Sequence, residues 1–327
     1  MGKVKDFLDD WMLPLAMAAG ITLCLLLHFV PSLSSGAEGA FSRFAKDAQP
    51  ALVALMLFLQ FNKISPHDLR FRRWHLYLLV FQGVMFIIPA LVCTLIPHGS
   101  TSRMLIECAM LCFVCPTAAA AGVITDKLGG SLSDTVTYVV LINVMAAFVI
   151  PLVIPIVHPA EGVTFWNGFF AICKKVFPLL VFPLLVAWAI RYTWHRLQVF
   201  LMRYAHWAFY IWGVTLALSI YLATKALLGS GISVWAALAI CLVSLACCIV
   251  QFIAGRKAGL ASPGGTKSDS ITAGQALGQK NSGFLIWLGY SFMTPVTSVA
   301  GGLYSIWQNL VNSRELYEHH KGKDPLR

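Results

Sequence analysis

Long apolar stretches alternate with short polar ones along the whole chain. Ten of the apolar stretches approach the length of about 20 residues that a helix needs to cross a bilayer. They lie near residues 12–30, 48–62, 74–97, 104–124, 132–157, 176–193, 205–227, 232–254, 270–289 and 291–311. The second is the shortest, and we expect its helix to begin earlier, within residues 41–49. The pattern predicts an all-α polytopic membrane protein with ten transmembrane helices.

Aromatic and basic residues precede the sixth span. Phe165 and Trp166 are followed by Lys174 and Lys175, a composition typical of a helix at the membrane surface. We therefore expect residues 165–175 to form an interfacial helix that leads into this span.

Polar residues interrupt the ninth span. Between Gly278 and Gly283 the chain reads Gln-Lys-Asn-Ser, where hydrocarbon-compatible residues are expected. Glycine releases the backbone from the helix, and the polar groups then need partners that lipid cannot supply. Such a break is tolerated at membrane depth only against protein or a water-filled cavity. We predict a helix break here, at the centre of a transport site.

The fourth span is interrupted as well. Pro116 removes a helical hydrogen bond, and the run of small residues that ends at Gly122 lets another backbone approach closely. A proline kink between tightly packed helices would have the same pattern. However, interrupted spans at corresponding positions of two halves indicate the binding site of a secondary transporter. We therefore predict a second helix break at Pro116 and Gly122.

The ten spans divide into two sets of five, and an odd number inverts the second set. The predicted repeats cover residues 1–158 and 159–311, and a short charged tail follows at 312–327. Seventeen Lys and Arg residues fall on the side of the N-terminus, against four on the other side. The positive-inside rule then places both termini in the cytoplasm. The outer four are Arg43, Lys46, Arg103 and Lys225.

Composition agrees with this reading and excludes other classes of protein. The chain is 58% hydrophobic and 12% charged, whereas soluble domains average about 25% charged residues. The net charge of +10 comes from residues scattered through short loops, so we expect the lipid bilayer and no nucleic acid as a partner. The sequence has no His-rich motif, Ser/His pair or carboxylate cluster, and it therefore predicts no enzyme.

Nine cysteines lie in the apolar segments. Cys108, Cys112 and Cys115 share a helical face, an arrangement that could hold a soft metal. No His neighbours them, and a buried Cys usually behaves as a small hydrophobic residue. We predict no metal site.

A few polar residues lie within other spans. Gln82 is in the middle of the third span, and Asn143 lies deep in the fifth, where it could face a cavity or join neighbouring helices. At the start of the fifth span we expect Ser133 or Asp134 to cap the helix.

Lys280 is the polar residue with the strongest functional signal. A Lys at the bilayer centre costs roughly 3 kcal/mol, and its own segment contains no acid to pair with it. Carbonyl groups left by the break could bind the ammonium, as they bind Na⁺ in transporters with broken helices. The alternative is that Lys280 reaches an aqueous surface, but its place between two glycines favours a buried role.

The order and spacing of these motifs resemble those of the bile acid:sodium symporter family. The resemblance rests on Gln82, on Cys115-Pro116 with its small residues, on Asn281-Ser282-Gly283 and on residues 302–309 (GLYSIWQN). It implies a core domain, in which two broken helices cross at mid-membrane, and a panel domain that moves against it. Members of the family carry organic anions such as bile acids and small carboxylates, usually with Na⁺.

The resemblance also implies where the substrate binds. Family members contact substrate at the crossing of the broken helices, and Asn281 and Asn309 fit that pattern. Gln308 replaces a frequent His, and Ala119 replaces a Thr. Because helix N-termini and Lys280 both favour negative charge, we expect a small organic anion as the substrate.

Part of the family's sodium site aligns with residues that could still serve. Gln82 matches one ligand position, and Thr135 matches a Ser ligand. The acidic residue that bridges the sodium sites aligns with Ala276, or with Gln275 if the break is one residue longer. Together with Gln279 and Lys280, these residues are the candidates for a cation site or its surrogate.

Other sodium-ligand positions are lost. Ala121 and Gly122 stand where family members place Ser and Asn, and Val139 stands where they place a Thr. Lys280 aligns with the Gln beside the family Asn. Hard cations need several oxygen ligands, preferably anionic, so this ligand set argues against Na⁺ as the coupling ion. Our hypothesis is that the Lys280 ammonium stands in for sodium, which leaves transport Na⁺-independent or proton-linked.

The leading functional prediction is a secondary active transporter of an organic anion, working by alternating access and without a cofactor. The alternative is a passive channel or facilitator for small organic anions. Accumulation of the substrate against its gradient discriminates between the two.

Overall fold

The chain folds into helices throughout. The computed structural model describes residues 2–118, 120–159, 161–204 and 207–321. They form fourteen α-helices and one short 3-10 helix, and this part of the chain contains no extended strand. The predicted all-α class is confirmed.

The helices follow one another with short connections. In chain order they are α1 (Gly2–Phe29), α2 (Pro31–Phe61), the 3-10 helix (Pro66–Asp68), α3 (Arg73–Thr94), α4 (Thr101–Val114), α5 (Ala121–Lys127), α6 (Leu132–Val157), α7 (Phe165–Leu180), α8 (Phe182–Thr193), α9 (His195–Arg203), α10 (Trp207–Gly229), α11 (Val234–Ala261), α12 (Lys267–Gly278), α13 (Ser282–Phe292) and α14 (Thr297–His320).

Several of these helices are long and apolar enough to cross a membrane. On length and composition, α3, α6, α11 and the part of α10 from Tyr210 to Gly229 each qualify alone. Helices α7 and α8 qualify together, as a pair bent by 40°. Helices α4, α5, α12 and α13 are too short to span alone. The chain is an integral membrane protein, and the count of ten spans stays a prediction.

Two helices differ from the sequence prediction in their bounds. Helix α2 begins at Pro31, well before residues 41–49, because proline at the first helical position loses no hydrogen bond. The helix expected at residues 165–175 continues to Leu180 and forms one candidate span together with α8, so its predicted position at the membrane surface stays a prediction.

The cap of α6 also differs from the prediction. Neither Ser133 nor Asp134 is the N-cap: that residue is Ser131, whose side-chain oxygen accepts a hydrogen bond from the Asp134 N–H at 3.2 Å. Ser131 has extended backbone angles there, as N-cap residues do. Asp134 lies in the first turn instead, where its charge favours the helix N-terminus.

The helices pack as two groups. Helices α3, α4, α6, α11, α12 and α14 contact one another, whereas α1 packs on α10, and α2 packs on α8 and α10. Glycines permit the closest approach, between α11 and α12: a Cβ at Gly255 would lie 2.4 Å from the Ala273 oxygen, and one at Gly259 would lie 2.4 Å from the Asp269 oxygen. Helices α2 and α10 then join the two groups by packing on α13.

The last helix continues past residue 311, where the tenth span was predicted to end. Helix α14 runs to His320, so the described part of the predicted tail at 312–327 is mostly helical. Residues 322–327 lie outside the described residues.

Candidate functional site

Two helix pairs are interrupted in the middle. Helix α4 ends at Val114, and Pro116 lies in the non-helical residues before α5. Helix α12 ends at Gly278, and three residues separate it from α13, which begins at Ser282. Gly122 and Gly283, predicted as part of the breaks, are instead helical residues near the starts of α5 and α13. Their lack of a side chain serves close packing: a Cβ at Gly122 would meet Leu132 at 2.7 Å.

The two non-helical stretches meet each other. The Asn281 N–H donates a hydrogen bond to the Pro116 carbonyl at 2.9 Å, and the Ala118 N–H donates one to the Gln279 carbonyl at 3.1 Å. These bonds satisfy backbone groups that the helix breaks would leave without partners. We call this contact the crossing; it consists of residues 115–118 and 279–281.

Side chains reinforce the crossing. Thr117 and Lys280 form an antiparallel β-bridge, and the Thr117 hydroxyl donates to the Ala276 carbonyl at 2.6 Å. The Cys115 thiol donates to the Asn281 carbonyl at 3.1 Å. Residues 115–118 therefore bind both the backbone of residues 279–281 and the end of α12.

Gln82 of α3 binds the end of α4. Its side-chain NH₂ donates to the carbonyls of Phe113, at 2.7 Å, and Cys115, at 3.3 Å. Its amide oxygen accepts a hydrogen bond from the Tyr138 hydroxyl of α6. Gln82 is fully buried, and it provides partners for two carbonyls that have none within their own helix.

A second Gln–Tyr pair, which we did not predict from the sequence, lies at the other half of the crossing. The Gln251 NH₂ of α11 donates to the Cys112 carbonyl at 3.2 Å and to the Tyr304 oxygen at 3.0 Å. The Tyr304 hydroxyl of α14 donates to the Gly278 carbonyl, the last of α12, at 2.7 Å. The signal was present in the sequence, since Gln251 is a lone amide in an apolar span, as Gln82 is.

Lys280 lies at the centre of this arrangement. Its side chain is fully buried, and its Nζ has no hydrogen-bond partner among the described residues. The titratable groups near its ammonium are the thiols of Cys115, Cys112 and Cys248. No carboxylate belongs to that set, so the positive charge is not neutralised by its described surroundings.

Gln308 of α14 holds the backbone of Lys280. Its amide oxygen accepts from the Lys280 N–H at 2.7 Å, and its NH₂ donates to the Lys280 carbonyl at 3.1 Å. The adjacent Asn281 caps α13 by accepting from the Phe284 N–H at 3.2 Å. Asn309 is half-buried and donates to the Ser305 carbonyl of its own helix at 2.6 Å. The role of all three in substrate binding stays a prediction.

The match to a family of known proteins covers most of the chain. The model of the SBF-like CPA transporter family matches residues 11–267. The chain belongs to this family. It is therefore a membrane transporter, and the resemblance to bile acid:sodium symporters is confirmed. A comparison with curated proteins finds no match.

Two other polar residues singled out in the sequence of this SBF-like transporter form side-chain hydrogen bonds within α6 or to its N-cap. Thr135 is buried in the first turn of α6, and its hydroxyl donates to the Ser131 carbonyl at 3.0 Å. Asn143 donates to the Val139 carbonyl of its own helix at 2.7 Å. Ala119 lies outside the described residues.

Gln279 and Gln275 form a chain of hydrogen bonds from the crossing to the buried carboxylate of Glu315. The Gln279 NH₂ donates to the Gln275 amide oxygen, and the Gln275 NH₂ donates to Glu315 at 2.8 Å. Glu315, which falls in the predicted charged tail, is 5% exposed and forms an ion pair with Arg256 of α11. A carboxylate in that position needs a cationic partner, which α11 supplies.

A second buried ion pair lies within α4. Arg103, predicted as an outer-loop residue, is 4% exposed and donates to Glu107 at 3.0 Å. Its guanidinium also donates to the carbonyls of Ile96, at 2.8 Å, and Val157, at 2.5 Å. Arg103 therefore joins the C-terminal ends of α3 and α6 to the start of α4.

Metal ligands are not clustered in the described part of this transporter. No group of three His, Cys, Asp or Glu residues there could hold a metal ion. Cys108 and Cys112 are buried in α4, while Cys115 lies beyond its end and faces the Asn281 carbonyl.

Proposed function

We propose that this protein is a secondary active transporter of an organic anion, and that the Lys280 ammonium takes the place of a coupling sodium ion. The observation that carries the proposal is a fully buried Lys, without a hydrogen-bond partner in the described chain, where two broken helices meet. A buried charge is costly, and it is retained in membrane proteins for function.

Repeated contacts support the arrangement as two inverted repeats. We assign the first to α1, α2, α3, α4 with α5, and α6, and the second to α7 with α8, α10, α11, α12 with α13, and α14. The contact between α3 and α6 in the first repeat corresponds to the contact between α11 and α14 in the second. Likewise, the contact between α4 and α14 corresponds to the contact between α12 and α6. The Gln82–Tyr138 and Gln251–Tyr304 pairs occupy corresponding helices under this assignment. We propose ten spans on this basis, with both termini in the cytoplasm as the positive-inside rule favours.

We assign the helices to two units that move against each other, although α7 contacts α6 as well as α2 and α8. The core consists of α3–α6 and α11–α14, which the crossing and the two Gln–Tyr pairs join. The panel consists of α1, α2, α7, α8 and α10. Movement of the panel against the core would expose the crossing to one side of the membrane and then to the other, which is alternating access.

The residues aligned with the family's sodium site do not fit Na⁺. The amide oxygens of Gln82 and Gln275 already accept hydrogen bonds, from Tyr138 and Gln279. No carboxylate is among the groups near the Lys280 ammonium. A hard cation needs about six oxygen ligands, preferably anionic ones. The ammonium supplies the same charge on a tether, so we derive no step through sodium.

An anionic substrate follows from the charge at the crossing. Lys280 has no counter-ion in its described surroundings, and α13 begins there with Asn281 at its N-cap. A carboxylate would be attracted by both the ammonium and the helix N-terminus. Asn281 and Asn309 are the residues that we expect to contact it.

Uptake by the purified protein in liposomes tests this function. Taurocholate represents sterol conjugates and pyruvate represents small carboxylates, each supplied with and without an inward Na⁺ gradient. We expect accumulation of an anion without Na⁺, and faster uptake under an inward proton gradient if transport is proton-linked. Strict dependence on Na⁺ would contradict the proposal. Equilibration without accumulation under either gradient would support the passive facilitator instead.

A further inference from the structure

The panel covers α13 on one side of the crossing and leaves α5 on the other side partly exposed. Residues 282–289 of α13 are all buried, and both α2 and α10 pack on this helix. Helix α5 is the counterpart of α13 in the first repeat, yet Val123 at its start is 53% exposed. In the orientation proposed above, α13 leads to the outer side. The outer path to the crossing is therefore closed in this state.

One face of α2 closes that path. Lys46, Gln49 and Val53 follow one another at helical spacing of three and four residues, so they share a face. Lys46 lies over the Tyr290 ring near the end of α13, and Gln49 binds Gly283 at its start. This face therefore follows α13 over about 10 Å, from the outer end to the crossing.

Gln49 is a buried link between panel and core. Its NH₂ donates to the Gly283 carbonyl at 2.9 Å and to the Ser219 oxygen of α10 at 2.7 Å. A Cβ at Gly283 would lie 3.1 Å from Thr215 of α10 and 3.2 Å from Val53 of α2. Both panel helices thus press on the same turn of α13, and Gln49 has to release it before the panel can move away.

Two lysines of the panel contact the other end of α13. Lys46 lies 4.4 Å from the centroid of the Tyr290 ring, and Lys175 of α7 lies 5.6 Å from that of Phe292. Neither lysine forms an ion pair with a described residue. By contrast, two other basic residues on the outer side form ion pairs: Arg103 with Glu107 and Lys225 with Glu38, each at 3.0 Å.

We propose that Lys46, Gln49 and Lys175 form an outer gate that selects anions. This inference rests on the proposed transport function. With the gate closed, the two ammonium groups rest on aromatic rings and Gln49 binds Gly283. With the gate open, the same groups are free at the mouth of the path, where the lysines bind a carboxylate and Gln49 offers it an amide donor.

The strength of these contacts suits a gate. At a partly exposed site, one contact between an ammonium group and an aromatic ring favours the closed state by a factor of only about two to five. An anionic carboxylate can therefore replace the ring as the partner of the ammonium. The Gln49 hydrogen bond favours the closed state by a further factor of about three to ten. Together these contacts keep the gate closed, but they are weak enough for an approaching anion to replace them.

Amine labelling tests the gate without a substrate. Cells that express the protein are treated with sulfosuccinimidyl acetate, which does not cross membranes, and acetylation of each Lys is measured by mass spectrometry. We expect Lys46 to react from outside, more slowly than the exposed Lys174. Tyr290→Leu should raise the Lys46 rate about two- to fivefold, and Gln49→Leu about three- to tenfold.

The matched control is Gln60→Leu, at the other end of α2, which should leave the Lys46 rate unchanged. Lys174 in the same sample serves as the reference for folding, and Tyr290→Leu still tests the gate if Gln49→Leu does not fold. Labelling of Lys46 only after permeabilisation would overturn the gate. So would equal Lys46 rates in the wild type, Tyr290→Leu and Gln49→Leu.

Transport kinetics test the selection of anions. For whichever of taurocholate or pyruvate the wild type takes up, the Lys46→Gln/Lys175→Gln variant should raise KM about three- to tenfold and flatten its dependence on ionic strength. Lys174→Gln should leave both unchanged. Identical kinetics of the double variant and Lys174→Gln would overturn anion selection. If the wild type takes up neither probe, the proposed function fails, whereas the labelling result still decides the gate.

Discussion

Replacement of Lys280 by Met should raise the stability of this protein and abolish its transport. Met has a similar length and volume, so the substitution removes the charge without leaving a cavity. The Lys280 Nζ is fully buried and lacks a hydrogen-bond partner in the described chain. A Lys at the centre of a membrane helix costs roughly 3 kcal/mol. We therefore expect Lys280→Met to be more stable by about 2–3 kcal/mol.

Thermal unfolding of the purified variant in detergent measures this gain. At about 2 °C per kcal/mol for a chain of this size, the midpoint should rise by roughly 4–6 °C. Uptake in liposomes should be lost in the same variant, because no cation remains at the crossing. A stabilised but inactive variant is the expected sign of a residue kept for function. Lys257→Met, on the exposed side of α11, is the matched control and should change the stability by less than about 0.5 kcal/mol.

Two results would refute this reasoning. A midpoint lowered by several degrees would show that the Lys280 ammonium makes a stabilising contact and is not an unpaired charge. Unchanged uptake would show that transport does not need a cation at this position, whatever the change in stability.

Three further predictions concern neighbouring residues. Glu315→Gln should lower the free energy of unfolding by about 2–3 kcal/mol, because it breaks a mostly buried ion pair. Glu318→Gln, which breaks a pair with the exposed Arg314, should cost about 0.5 kcal/mol; thermal unfolding measures both. Gly278→Ala should cost about 1–3 kcal/mol in the same assay, because its Cβ would lie 2.4 Å from an aromatic ring carbon. Lys280→Gln should reduce the initial rate of uptake per folded molecule more than Gln82→Ala does; equal, mild effects would contradict the central role of the ammonium.

Both helix breaks could be predicted from the sequence because their signals are local. Pro116 cannot continue a helix hydrogen-bond ladder, and the polar run after Gly278 cannot lie against lipid. What the pattern could not fix is the extent of each break. Gly122 and Gly283 are helical, because glycine also occurs inside helices where another chain approaches closely.

The buried ion pairs could not be predicted because their partners are distant in sequence. Glu315 lies near the end of the chain among other charged residues, where a solvated tail is the usual outcome. Its partner Arg256 is 59 positions earlier, on a helix that only the tertiary fold brings alongside. Arg103 was likewise assigned to a loop, although Glu107 one turn later gave a local signal for a pair.

The second Gln–Tyr pair could have been predicted in part. Gln251 obeys the same rule as Gln82, since a lone amide within an apolar span needs a partner. The partner itself, Tyr304, could not be chosen by sequence, because tyrosine also anchors helices at the membrane surface. Gln49 was missed for another reason: it lies at the edge of the predicted span at 48–62, where a polar side chain is expected at the membrane surface, whereas α2 begins at Pro31 and places it well inside the helix.

Direct binding of radioactive Na⁺ to the purified protein tests the central claim, that the Lys280 ammonium occupies the place of a coupling sodium ion. The account predicts no saturable Na⁺ binding by the wild type, with or without taurocholate or pyruvate. Saturable, stoichiometric Na⁺ binding by the wild type that Gln82→Ala removes would contradict it.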